Sequence, residues 1–157
     1  MKILIASDHG GFEFKEYIKS INFTDVERKI GEQIEIVDFG TNSTERCDYP
    51  VFAKKMLDDL ITILPQNIAD NPSNFGILFC TTGIGMSIVA NKYKGIRAGL
   101  CHFIEEAELT RKHNNSNVLC IGAKFTDKNI VETLVKTFIT TKFEGGRHFE
   151  RISMIEK

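Results

Sequence analysis

Phe75-Gly76-Ile77-Leu78-Phe79-Cys80-Thr81-Thr82-Gly83-Ile84-Gly85 reads as a strand followed at once by a glycine-bearing turn. Its first six residues form a short apolar run, the pattern of a strand covered on both faces. Strands of that kind belong to parallel sheets, whose connections are helices. Outward toward the amino end, Lys2–Ser7 is a second such run, broken by Asp8-His9-Gly10-Gly11. Phe12, Tyr17, Ile18 and Ile21 then recur at roughly helical spacing. Ile34–Phe39 reads as a strand ended by Gly40, and a polar loop runs through Asp48. Pro50 suits the first turn of a helix carrying Phe52, Met56, Leu57, Leu60 and Leu64, which Pro65 closes. Gln66–Asn74 is polar and reads as a surface loop.

Outward toward the carboxyl end, the turn leads into a helix from about Met86 to Tyr93. Ala98–Cys101 and Val118–Ile121 read as strands, each followed by a helix, Ile104–His113 and Asp127–Thr140. A basic segment from Gly145 to the end is expected to be helical from about His148. The alternation predicts an α/β chain, a three-layer α/β/α arrangement on a Rossmann-like five-stranded parallel sheet. Neither a linker nor an internal repeat interrupts residues 1–157, so one domain is expected, with the strand order open.

Composition narrows the function. With 42% hydrophobic and 26% charged residues the chain has the balance of a folded soluble protein. A net charge of -1 argues against a nucleic-acid or membrane-surface partner, which would favour a basic excess. The apolar run after Lys2 is too short for a signal-peptide core, and no stretch reaches the length of a membrane span, so a cytoplasmic protein is expected. Cys47, Cys80, Cys101 and Cys120 contain no Cys-x-x-Cys pair and no zinc spacing. Each is a small buried hydrophobe or a reactive thiol.

In open parallel sheets ligands bind beyond the carboxyl ends of the strands. That rule selects Asp8-His9, the Arg46–Tyr49 loop, Cys80–Gly85 and the segments after Cys101 and Ile121. The Cys80–Ser87 turn lets the backbone approach a ligand and aims amides at an anion; the plainer alternative is a tight turn with no ligand. Cys80 sits where a buried strand meets a helix amino terminus, which favours a thiolate base or nucleophile, unless it is an inert core cysteine. Cys101 and Cys120 stay with the inert reading. Arg147 and Arg151, four apart, would share a helix face as a phosphate clamp or as a solvated basic surface. Asp8 and His9 suit proton transfer or oxyanion binding, or helix capping by Asp8. His113-Asn114 falls at a helix end, where a histidine complements the dipole and an asparagine serves as a cap. These groups are expected to gather at one edge of the sheet.

Taken in order, Ser7-Asp8-His9-Gly10-Gly11, Glu45-Arg46-Cys47-Asp48-Tyr49-Pro50, Cys80–Ser87, Ala90-Asn91-Lys92, Gly95-Ile96-Arg97-Ala98, His113-Asn114, Asn117-Val118-Leu119 and Glu144-Gly145-Gly146-Arg147-His148 with Arg151 resemble the type B ribose-5-phosphate isomerase family. That family includes galactose-6-phosphate and allose-6-phosphate isomerases, and the resemblance covers nearly the whole chain. It implies interconversion of ribose 5-phosphate and ribulose 5-phosphate, in the non-oxidative pentose phosphate pathway, through an enediolate, with neither metal nor organic cofactor. By the same resemblance Cys80 is the base, Thr82 a proton relay, and His113 the acid that opens the furanose ring. Asp8, His9, Tyr49, Asn114 and the loop residues Thr81, Gly83, Ile84 and Gly85 would bind the sugar. Arg147 and Arg151 would clamp the phosphate, and Lys124, where the family often has arginine, could meet it as a point charge. Sites of the family are shared across a dimer interface, which implies a homodimer or a tetramer of dimers, with residues 145–157 reaching a partner subunit.

Two departures stand out. Thr81 takes the place of the family's usual glycine, where a positive φ would strain it. The segments around 22–33 and 64–74 are longer than usual and are expected to be surface elaborations. A hexose-6-phosphate isomerase, or a non-catalytic phosphate- or nucleotide-binding module, are the competing functions.

Overall fold

The computed structural model describes residues 1–156. Five parallel strands form its centre: β1 Lys2–Ser7, β2 Glu35–Asp38, β3 Phe75–Cys80, β4 Ala98–Leu100 and β5 Val118–Gly122. Their order across the sheet is β2-β1-β3-β5-β4, which settles what the alternation of elements leaves open. All six residues of β3 are buried, as its uninterrupted apolar run requires of the central strand. Its register sets Ile3 beside Phe75 on one side and Cys80 beside Gly122 on the other.

Helices cover both faces, completing the three layers. One core joins Ile3, Ile5, Ile77 and Phe79 of the sheet to Phe14 and Ile18 of α1 (Phe12–Ser20), Val26 of α2 (Thr24–Ile30), Ala107 of α5 (Ile104–Asn114) and Val131, Leu134 and Phe138 of α6 (Lys128–Thr140). On the other face Leu4, Leu78 and Cys80 meet Met56, Leu57 and Leu60 of α3 (Tyr49–Ile63) and Met86 and Ala90 of α4 (Ile84–Ala90). The last helix, α7 (Arg147–Ile155), lies against the end of α5. Among the described residues no helix is long and apolar enough to cross a membrane.

Helix α2 corrects the reading of 22–33 as a mere elaboration. It is seven residues long and mostly charged, so its periodicity is weak, but Phe23 and Val26 are buried under it and Glu27 accepts the Ile34 amide. Helix α4 also opens earlier than expected, at Ile84, because Gly83 turns the chain with φ of 77°. There a side chain would be doubly excluded: a Cβ would come within 2.3 Å of Leu100.

The 64–74 segment is a loop, as expected, yet it is tied to the interior. Arg111 of α5 is 1% exposed and donates to Asn71 Oδ1 at 3.2 Å, Asn115 Oδ1 at 2.8 Å and the Ser116 carbonyl at 2.6 Å. Its guanidinium lies over the rings of Phe75 and Phe138. Burial, with Arg97 nearby, lowers its pKa to about 10, which leaves the group charged at neutral pH. Asn115 holds the same loop by donating to the carbonyls of Ile68 and Asp70.

Candidate functional site

Beyond the carboxyl ends of β1 and β3, main-chain bonds fix a compact group. The Asp8 amide donates to the Phe79 carbonyl, and Asp8 Oδ1 accepts the Gly11 amide at 3.0 Å, so Asp8 is a buried turn acceptor 6% exposed. His9 accepts the Cys47 amide at Nδ1, 3.3 Å, which assigns a neutral ring's proton to Nε2 and frees that nitrogen for a ligand. Cys80 closes β3 with its thiol sulfur accepting the Gly83 amide at 2.9 Å.

Thr81 does not have a positive φ, so the strain expected of a threonine in a glycine's place is not present. Gly10 makes room for it instead: a Cβ there would sit 2.0 Å from Thr81 Oγ1. Thr82 Oγ1 accepts the Ile84 amide at 3.4 Å and keeps its hydroxyl proton to donate. The Ala123 and Lys124 amides bind the carbonyls of Cys80 and Thr81, which brings Lys124 to this edge. Tyr49, opening α3, faces Gly85, where an added Cβ would lie 2.7 Å from the ring. This edge therefore joins Asp8, His9, Tyr49, Cys80, Thr81, Thr82, Gly83, Ile84, Gly85 and Lys124.

His113, Asn114, Arg147 and Arg151 are not there, and the expectation of a single edge is corrected. Helix α5 begins near the carboxyl end of β4 and runs back, so its last residues lie where β4 and β5 start. Arg97, directly before β4, donates from Nε to the Asn114 carbonyl at 3.0 Å and from Nη1 to Glu156 at 2.6 Å. The two groups are thus separated by the length of β5, roughly 15 Å at ~3.3 Å per residue. The helix cap is also displaced by one residue: Asn115, with φ of 46°, ends α5, while Asn114 is its exposed last residue.

At this second edge the His113 ring stacks on His148, centroids 4.2 Å apart and 7° from parallel. Glu144 Oε2 lies 4.0 Å from His113 Nε2 and 3.8 Å from His148 Nε2, a donor set that could also hold a metal ion. The Glu144 amide donates to the Lys112 carbonyl, which docks the α6–α7 connection onto α5. His148 is held below the ordinary value of 6.5, first by burial and then by the charges of His113, Arg147 and Arg151. Arg147 and Arg151 are exposed on one face of α7. Glu144, His148 and Arg97 escaped assignment from the sequence as site residues. The four-residue step from Glu144 to His148 was the available signal for the first two.

Cys101 and Cys120 are buried free thiols. Burial, with Glu106 secondary, pushes the Cys101 thiol up to about 12, and burial raises Cys120 well above its usual range. Both match the inert reading.

The profile of the Ribose/Galactose Isomerase family matches residues 3–155. A putative sugar phosphate isomerase of Rickettsia conorii is 46% identical over 98% of this chain and 96% of its own length. A crystal structure of ribose 5-phosphate isomerase from Thermotoga maritima is 42% identical and superposes with a TM-score of 0.79 over 99% of this chain and 97% of that one. A ribose-5-phosphate isomerase B from Mycoplasma genitalium with bound ribulose-5-phosphate is 35% identical, with a TM-score of 0.79 over 99% and 93% of the two chains.

Proposed function

Because this chain belongs to the ribose/galactose isomerase family, we propose that it interconverts D-ribose 5-phosphate and D-ribulose 5-phosphate, the aldose–ketose isomerisation of the non-oxidative pentose phosphate pathway. The observation that carries the mechanism is the Gly83 amide aimed at Cys80 Sγ from 2.9 Å. His113 donates a proton to the ring oxygen as the C1–oxygen bond opens, while the anomeric O1 hydroxyl gives up its proton to water, from which His113 is reprotonated, and the aldehyde results. The Cys80 thiolate then removes the C2 proton, and negative charge moves onto O1. Amides of the turn, among them that of Gly85 in the first turn of α4, stabilise this enediolate because they are already oriented before charge develops. The Thr82 hydroxyl takes the O2 proton and gives its own to O1. Cys80 returns its proton to C1, and the ketose results with the thiolate restored.

Arg147 and Arg151 grip the phosphate, with Asn114 beside them and Asp8, His9 and Tyr49 holding the sugar. Cys80 and Lys124 lie at one edge of the sheet and His113 and both arginines at the other, so one chain alone cannot close this site on a pentose phosphate. Two copies, each offering one edge to the other, meet the requirement. We therefore assign a homodimer, alone or as a tetramer of dimers, with α7 reaching the partner. Exposed Ile84 and Ile88 on α4 and Val51 on α3 supply an apolar surface beside the Cys80 turn for such a contact.

The test is isomerisation of ribose 5-phosphate by purified protein with a chelator present. Cys80→Ala should lower kcat about 10³-fold, the scale of a lost acid–base group. Activity unchanged in the variant would move the base to another residue. Turnover of hexose 6-phosphates in place of pentose would move the substrate class and leave the residue roles intact.

A further inference from the structure

We propose that His113, Glu144 and His148 form a binding site for a divalent transition metal of the zinc type, built within one chain and used to arrest turnover rather than to perform it. One ligand atom from each residue lies within 4.8 Å of the others. A two-nitrogen, one-oxygen set suits zinc, cobalt, nickel and copper, and leaves a fourth position for water. Bonds of about 2.0–2.2 Å to such an ion place tetrahedral ligand atoms some 3.4 Å apart, so the cluster must contract by less than a side-chain rotation supplies. The imidazoles, now nearly parallel, must tilt so that both lone pairs converge.

Three features favour that movement. Glu144 and His113 are half exposed and free to turn, while His148 is buried and fixed. The Glu144 amide bond to the Lys112 carbonyl fixes where the carboxylate can go. His148 Nε2 already lies 3.8 Å from Glu144 Oε2, the shorter of the two histidine–carboxylate separations. Arg147 and Arg151 oppose a cation, which makes this a modest, reversible site and suits control better than a structural role.

Metal binding stands independently of the reaction proposed above; only its effect on turnover rests on that reading, because the ion would occupy His113. The closing experiment therefore reads binding directly. Cobalt(II) is titrated into chelator-treated protein and followed by its visible absorption, with zinc displacing it. One ion per chain is expected, with nitrogen–oxygen spectra and no thiolate charge-transfer band. Losing an outer-shell partner alone typically costs about 10–100-fold in affinity, so His148→Ala should weaken binding at least tenfold. Glu144→Gln, at an exposed position that does not threaten folding, should weaken it similarly. Cys80→Ala should bind as the wild type does. Undiminished binding in Glu144→Gln, loss of binding in Cys80→Ala, or a thiolate band would each overturn the site. Zinc that binds as described yet leaves isomerisation untouched would keep the site and overturn the role of His113.

Discussion

The two edges of the sheet are made of different materials. At the carboxyl edge the fixed parts are main-chain groups: the Gly83 amide on Cys80, the Asp8 amide on Phe79, the Ala123 amide on Cys80. At the amino edge they are side chains: His113 near the end of α5, Arg147 and His148 at the start of α7, Glu144 on the connection before it, and Arg97 directly before β4. Backbone positioned by a packed sheet moves little, which suits a reaction whose charge must meet donors already in place. Long side chains reach and adapt, which suits gripping a phosphate. Under the proposed function, dividing the labour this way leaves each edge incomplete and makes association between chains part of catalysis.

The sharpest way to break this comparison is to damage one edge in each of two chains. Cys80→Ala and Arg151→Ala should each be inactive alone. Co-refolded in equal amounts, they should recover about a quarter of wild-type activity, since half the dimers are mixed and each holds one intact site. No recovery would place both edges' functions within a single chain.

A second test separates the edges by stability. Arg111→Met removes the donor to Asn115 Oδ1 and to the carbonyls of Ser116 and Thr141, while Asn71 Oδ1 keeps the Phe143 amide, and should cost about 3 kcal/mol in urea unfolding. A loss under about 1 kcal/mol would mean that water re-pairs those acceptors. At the other edge, Gly10→Ala drives a methyl into Thr81 Oγ1 and should lower kcat about tenfold by shifting the turn. Thr81→Gly added to it should restore the rate, whereas a loss that persists would separate Gly10 from the turn.

The smallest effect is in pH. His148 is held below 6.5 in the folded protein, so the unfolded chain binds a proton that the folded one refuses. Stability on its account is full above 6.5, declines as pH falls below it, and levels off under the folded value. Melting temperatures measured between about pH 7.5 and 5.5 should fall less in His148→Gln than in the wild type. Equal slopes would assign the acid sensitivity elsewhere.

β1 and β3 were legible because burial on both faces leaves an unbroken apolar run, and they match Lys2–Ser7 and Phe75–Cys80 residue for residue. Helix α2 was not, since a seven-residue charged helix with Val26 as its buried residue has too little periodicity to stand out. The residues of the candidate site were legible from motif order, but their placement was not. Direction decides that placement: a helix that leaves the carboxyl edge of a parallel strand must return to the amino edge, so α5 carries His113 away from Cys80. Arg111 left no mark in the sequence at all, one basic residue among many until the phenylalanine rings close over it.

That arginine also decides where this protein can be modified. The 64–74 loop is polar, irregular and long, the kind of place usually chosen for an affinity tag or a grafted peptide. With Asn71, Ile68 and Asp70 hydrogen-bonded to Arg111 and Asn115, a graft there would pull on the interior and on the ends of α5 and β5 together. The turn at Gly31, where an added side chain would meet open space, is the safer address for a label, provided a residue tolerant of positive φ is kept.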